Sequence, residues 1–198
     1  MSRALIEKRR AEVAQQRRRR MIVLGLAALL LVALVVVAVV TQLNRERLPR
    51  TIEGLRTFSG LSRAHAIDID LQDEGRPPAG GTHHPQWYNC GVYREPIPTI
   101  NAIHSLEHGA VWLTYHPDLP ADQVALLEAY TDGDPFVLVS PYPGQESPII
   151  ATAWEAQVDI EEAPDPRITL FVRTYANAGP EPGAVCAGGL GTPVAPAS

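Results

Sequence analysis

From Met21 to Val40 every residue is apolar or glycine, an unbroken run of 20. A helix rises about 1.5 Å per residue, so the run spans roughly the 30 Å hydrocarbon thickness of a bilayer. A cleavable signal peptide has a shorter apolar core, about 7 to 15 residues, followed by a small-x-small site. The exit Val39-Val40-Thr41-Gln42-Leu43 offers no such site. The pattern predicts an uncleaved signal anchor, with Met21 to Val40 in contact with membrane lipid.

Beyond the run the periodicity shortens and varies. Residues 41 to 62 read as a polar juxtamembrane stalk, with Ile52, Leu55, Phe58 and Leu61 at helical spacing. Ala66 to Leu71 alternates apolar and acidic positions, predicting a half-buried strand with Ile67, Ile69 and Leu71 inward. A turn-rich loop follows from Gly75 to Gly81, then an irregular stretch from Thr82 to Ile103. Asn101 is the expected N-cap of a short helix ended by Gly109, and Ala110 to Tyr115 reads as a buried strand. An amphipathic helix is expected from Pro120 to Tyr130, then strands at Phe136–Ser140 and Ile149–Val158, paired as a hairpin through the Pro141–Gly144 turn. Asp165 as N-cap and Pro166 at the first helical position open a last helix through Tyr175. Strands interleaved with short helices predict an α+β domain with a mostly antiparallel sheet.

The organisation expected is a basic arm (1–20), the transmembrane helix (21–40), the stalk (41–62), the α+β domain (63–190) and a disordered tail (191–198). Charge orients it. Residues 1–20 hold eight basic and two acidic side chains, whereas residues 41–198 hold nine basic against twenty acidic, a net of −11. Excess positive charge next to a membrane helix stays in the cytoplasm, so the α+β domain belongs outside it. Setting orientation is the preferred reading of the arm, with binding of anionic lipid or nucleic acid through its arginine run as the alternative, and the acidic outer domain argues against nucleic-acid binding there. Pro (18) and Gly (15) make up a sixth of the 198 residues, which favours a loop-rich domain over a helix bundle.

All six histidines fall between positions 65 and 116. The sharpest local pattern is His104-Ser105-Leu106-Glu107-His108. On a helix, positions i and i+4 share a face, so His104 and His108 are placed to hold one metal ion with Glu107 beside it as ligand or base. In inverted zincins the H-x-x-E-H spacing serves zinc hydrolysis. Here the available helix is only about two turns and no segment announces a third ligand; His65, His83, Glu155, Glu161 and Glu162 are candidates. Of the pair His83-His84, neighbours on extended chain point apart, so one joins such a site, and His83 is preferred. Zinc or copper suits imidazole ligands; thioether ligation is excluded, because the only methionines are Met1 and Met21. The alternative reading makes these residues loop-ordering groups. No P-loop, dinucleotide fingerprint or nucleophile elbow occurs. Two cysteines, Cys90 and Cys186, are most simply a disulfide in an oxidising compartment, with free thiols or a single thiolate ligand as competing readings.

Several stretches together carry a resemblance: Leu61 to His65, Pro77 to Tyr93 including Gly80-Gly81-Thr82-His83-His84-Pro85, His104 to Trp112, Ser140 to Gly144, Ala153-Trp154, and Pro182 to Gly189. In order and spacing, over about residues 52 to 191, they resemble the bacterial membrane-anchored proteins of domain of unknown function 3105. The resemblance implies that His83 rather than His84 is the family's histidine and that Cys90 pairs with Cys186. It implies no activity. Three functions therefore stand as expectations: a metal-binding module using His83, His104 and His108, with His65 and Glu107 as further candidates; a non-enzymatic module binding an envelope protein partner; and a zinc hydrolase with Glu107 as its base.

Overall fold

A computed structural model describes residues 3–46, 51–71 and 75–197. The parts of the expected stalk and tail at 47–50 and 198 lie outside these. The chain forms two units, Met1–Arg47 and Leu48–Ser198. The first is one helix, α1 (Arg3–Glu46), and within it Arg19–Val39 is long and apolar enough to cross a membrane.

The second unit is a mixed six-stranded sheet with short helices, an α+β fold. Its elements in chain order are β1 (Arg56–Thr57), β2 (Gly91–Val92), α2 (Thr99–Glu107), β3 (Val111–Tyr115), α3 (Ala121–Glu128) with a 3₁₀ turn at Ala129–Asp132, β4 (Val137–Pro141), β5 (Ile149–Ala153), β6 (Ala156–Ile160) and α4 (Pro166–Tyr175). The sheet order is β1-β6-β5-β3-β4-β2. Three pairings are antiparallel (β1/β6, β6/β5, β5/β3) and two parallel (β3/β4, β4/β2). The parallel step from β3 to β4 follows from α3, since parallel neighbours need a crossover rather than a tight turn.

Side chains alternate across the sheet, and both faces are covered. Val111, Leu113, Val137, Val139, Ile149, Ala151 and Val158 form one core with Leu127 at the end of α3 and Ile168, Phe171 and Val172 of α4. Trp112 and Leu138 point the other way, into a smaller core with Ala102 and Leu106 of α2, Tyr93 and Cys186. Burial on two faces explains why the central strands read as continuous apolar runs. The indole N–H of buried Trp112 donates to Ser140 Oγ at 2.9 Å, which removes the cost of placing it there. As the spacing predicts, α4 starts at Pro166 with Asp165 as its cap, accepting the Arg167 backbone N–H at 2.8 Å.

Several expectations are corrected. Strands β4 and β5 are not a hairpin: β3 lies between them, because the segment after β4 crosses to the far edge of β3. The hairpin is instead β5/β6, since 149–158 breaks at Trp154-Glu155, where Glu155 adopts φ 59° and Ala153 faces Ala156. Residues 66–71 form no strand, and Ile67 is exposed. Alternation supplies a face but not a partner edge, and the sheet edges are held by β1 and β2. The part of the stalk from 51 to 62 is not helical: Ile52 and Leu55 pack on the main core and β1 pairs with β6. Helix α2 begins at Thr99, so Asn101 is inside it, buried, donating its side-chain amide to Gln86 O at 2.6 Å. In the segment after residue 190, the Val194 N–H donates to Val92 O of β2 at 2.9 Å and the Ala197 N–H to the Glu128 carboxylate of α3 at 2.6 Å.

Candidate metal centre

Helix α2 is buried from Asn101 through Glu107, and it organises the irregular chain around it. Ser105 Oγ donates to Tyr88 O at 2.6 Å, and the His84 N–H donates to Ile100 O at 3.1 Å. These bonds fasten the 83–88 loop along one side of α2. At the other end Gly109, at φ 98°, turns the chain into β3, a conformation glycine adopts without a side-chain clash. There the Asn177 N–H donates to Gly109 O and the Glu181 N–H to Glu107 O, so the 176–186 loop wraps the C-terminus of α2. A Cys90–Cys186 disulfide, 96 residues apart in sequence, joins the two loops.

This framework brings His65, His83, His104 and Glu107 together, with one ligand atom from each lying within 4.8 Å of the others. His65 and His83 meet through a parallel β-bridge, with the Ala66 N–H on His83 O at 2.9 Å and the His83 N–H on Ala64 O at 3.1 Å. Ring centroids are 4.9 Å apart for His65/His104 and 4.7 Å for His83/His104. Trp154 stands edge-on to His83 and Trp87 lies against His104 and His108. The side chain of His65 is half exposed, whereas His83 has no exposed surface at all.

His83 Nδ1 sits 2.7 Å from Gly81 O, His104 Nδ1 2.7 Å from His84 O, and His108 Nδ1 2.8 Å from Val185 O. A carbonyl oxygen only accepts, so each Nδ1 carries a proton and Nε2 is the ring nitrogen turned to the cluster. His83 Nε2 lies 3.0 Å from Glu107 Oε2, yet it is buried without a hydrogen bond, because the two are misaligned for one. The His83 Nε2 and the Glu107 carboxylate thus form a buried pair suited to hold a cation.

Glu107 is held as a carboxylate. Burial pushes its pKa up, but the Arg63 hydrogen bond, at 2.5 Å to Oε1, together with the charge of the neighbouring groups, outweighs it, and the net shift is downward. His104 is displaced below the ordinary imidazole value, chiefly by burial and further by the adjoining histidines, against an opposing contribution from the His84 carbonyl. Both shifts favour the forms that bind metals, anionic carboxylate and neutral imidazole.

Of the residues singled out in the sequence, His65, His83, His104 and Glu107 fall in this cluster. His108 does not: it caps α2 and groups with His104 and Glu181. Helical spacing sets the His104 and His108 rings 4.6 Å apart, and His104 is common to the two groupings. His84 turns away, and His116 lies beyond β3 beside Asp118. Glu155 serves the β5/β6 turn, accepting the Leu61 N–H at 3.2 Å. Arg63 and Glu181 escaped sequence reasoning. Glu181 had one signal, an acidic residue between two prolines in the glycine-rich Gly179-Pro180-Glu181-Pro182-Gly183; Arg63 had none.

Fold and site together define an α+β domain, following an apolar N-terminal helix, that carries a His/Glu cluster buried except at His65. Residues 69–188 match the family described as proteins of unknown function DUF3105, and the chain belongs to that family. No curated protein and no solved structure matches it.

Proposed function

We propose that the protein is a membrane-anchored, extracytoplasmic metal-binding domain in which His65, His83, His104 and Glu107 hold one divalent transition-metal ion. The observation that carries this reading is the unpartnered, fully buried Nε2 of His83 facing the Glu107 carboxylate. Three imidazoles and a carboxylate are the donor set zinc takes in four-coordinate sites, and copper accepts the same imidazoles. Ligands about 2.1 Å from a tetrahedral ion stand roughly 3.4 Å apart, so the side chains close by no more than about 1.4 Å on binding. The His83 and His104 Nδ1–H bonds to backbone carbonyls are the outer-shell contacts that orient ligating imidazoles.

Glu107 acts as a ligand rather than as a catalytic base. One oxygen is taken by Arg63 and the other faces His83, which leaves neither for a water proton. The anchor is the Arg19–Val39 segment in contact with membrane lipid, the arginine-rich arm sets the N-terminus inside, and the disulfide suits an oxidising exterior. Cobalt tests the coordination. Adding Co²⁺ to the detergent-solubilised chain is expected to give the intense visible bands of a four-coordinate N/O site, displaced by zinc. A spectrum that stays that of the hydrated ion contradicts the reading.

A further inference from the structure

His104 belongs to two groupings. Besides the cluster above, ligand atoms of His104, His108 and Glu181 lie within 4.8 Å of one another. His108 Nε2, the ring nitrogen not engaged by the Val185 carbonyl, is 3.4 Å from Glu181 Oε2. Exposure rises in order along the set: His104 and His108 are nearly buried, while the Glu181 side chain is 51% exposed.

We propose that His104, His108 and Glu181 form a second, solvent-facing position for the same ion, which passes to the inner cluster through His104. The inference rests on the inner-cluster reading. His104 has one free nitrogen, since its Nδ1–H is committed to the His84 carbonyl. One lone pair serves one ion, so the two positions are alternatives and the chain holds a single ion at a time.

The transfer is a ligand exchange with no change of oxidation state. The dative bond from His104 Nε2 is kept, those from His108 Nε2, the Glu181 carboxylate and the bound water break, with the water released to solvent, and those from His83 Nε2, His65 and the Glu107 carboxylate form. The outer position has three protein ligands with water completing the shell, and the inner has four. The extra ligand and the buried carboxylate draw the ion inward. Trp87, 4.6 Å from His108 and 5.8 Å from His104 between ring centroids, walls the shared boundary.

The test is stopped-flow loading of the full chain in detergent with equimolar Co²⁺, followed by absorbance, with stoichiometry read at equilibrium. Glu181→Gln, at an exposed position, is expected to slow loading several-fold, and His108→Gln/Glu181→Gln at least tenfold. Both are expected to keep one ion per chain and the parent's final spectrum. Loading at the parent's rate in both variants, which would mean entry past the half-exposed His65, overturns the relay but leaves the inner site standing. Two ions bound per parent chain likewise overturn it. If the parent binds no Co²⁺, the inner-site reading falls and the relay with it.

Discussion

Replacing His83 by alanine is expected to weaken zinc binding at least about a hundredfold, more than loss of an outer-shell contact alone costs. His83 is the fully buried member of the cluster, its ring fixed by the Gly81 carbonyl, and its Nε2 has no other partner. Removing it takes away the proposed buried ligand and leaves Glu107 beside Arg63, His65 and His104. Residual weak binding is expected, because His104, His108 and Glu181 remain, and the further change His104→Ala removes it. His84→Ala is the matched control. Its side chain turns to the Gln86 N–H, while the His84 carbonyl that orients His104 is backbone and survives the change. Competition titration with a zinc chelator checks both variants, and thermal unfolding confirms that they fold. Equal losses in the two would trace the effect to the loop rather than to the ligand.

The second large effect concerns the loop framework. Replacing Cys90 and Cys186 by serine releases a closed loop of 96 residues, worth about 4 to 5 kcal/mol by the loop-entropy relation. For a domain of this size that is a fall in melting temperature of about 10 to 15 °C. Affinity for metal is expected to fall as well. The bond ties the loop carrying His83 to the loop carrying Val185 and Glu181, and the Cys90 N–H on Cys186 O at 2.8 Å extends that junction. Thermal unfolding and metal titration of the double variant, beside the parent with and without reductant, check both parts. An unchanged melting temperature would show that α2 and its hydrogen bonds hold the two loops unaided.

Much of the architecture is legible in residue patterns. The 20-residue apolar run, the caps of α4 and the buried strands β3 and β4 follow from length, periodicity and capping chemistry. What pattern misses is pairing. The alternation at 66–71 cannot report whether a strand lies alongside to pair with it, and the run from 149 to 158 cannot show that Glu155 takes a left-handed turn. The same holds for the site. Helical spacing links His104 to His108, but the three-dimensional neighbours of His104 come from a bridge between His65 and His83 that sequence distance hides. Arg63 and Glu181 act through position alone, one from the segment before that bridge and one from the loop behind α2.

Metal binding by this cluster in the protein as it is made is tested most directly by elemental analysis of the full chain, purified from membranes without a histidine tag, beside His83→Ala/His104→Ala. About one equivalent of zinc or copper in the parent, and none in a variant that still unfolds cooperatively, is the expected result. Absence of metal from both, persisting after reconstitution with either ion, would contradict the account and leave the domain as a module whose histidines order its loops.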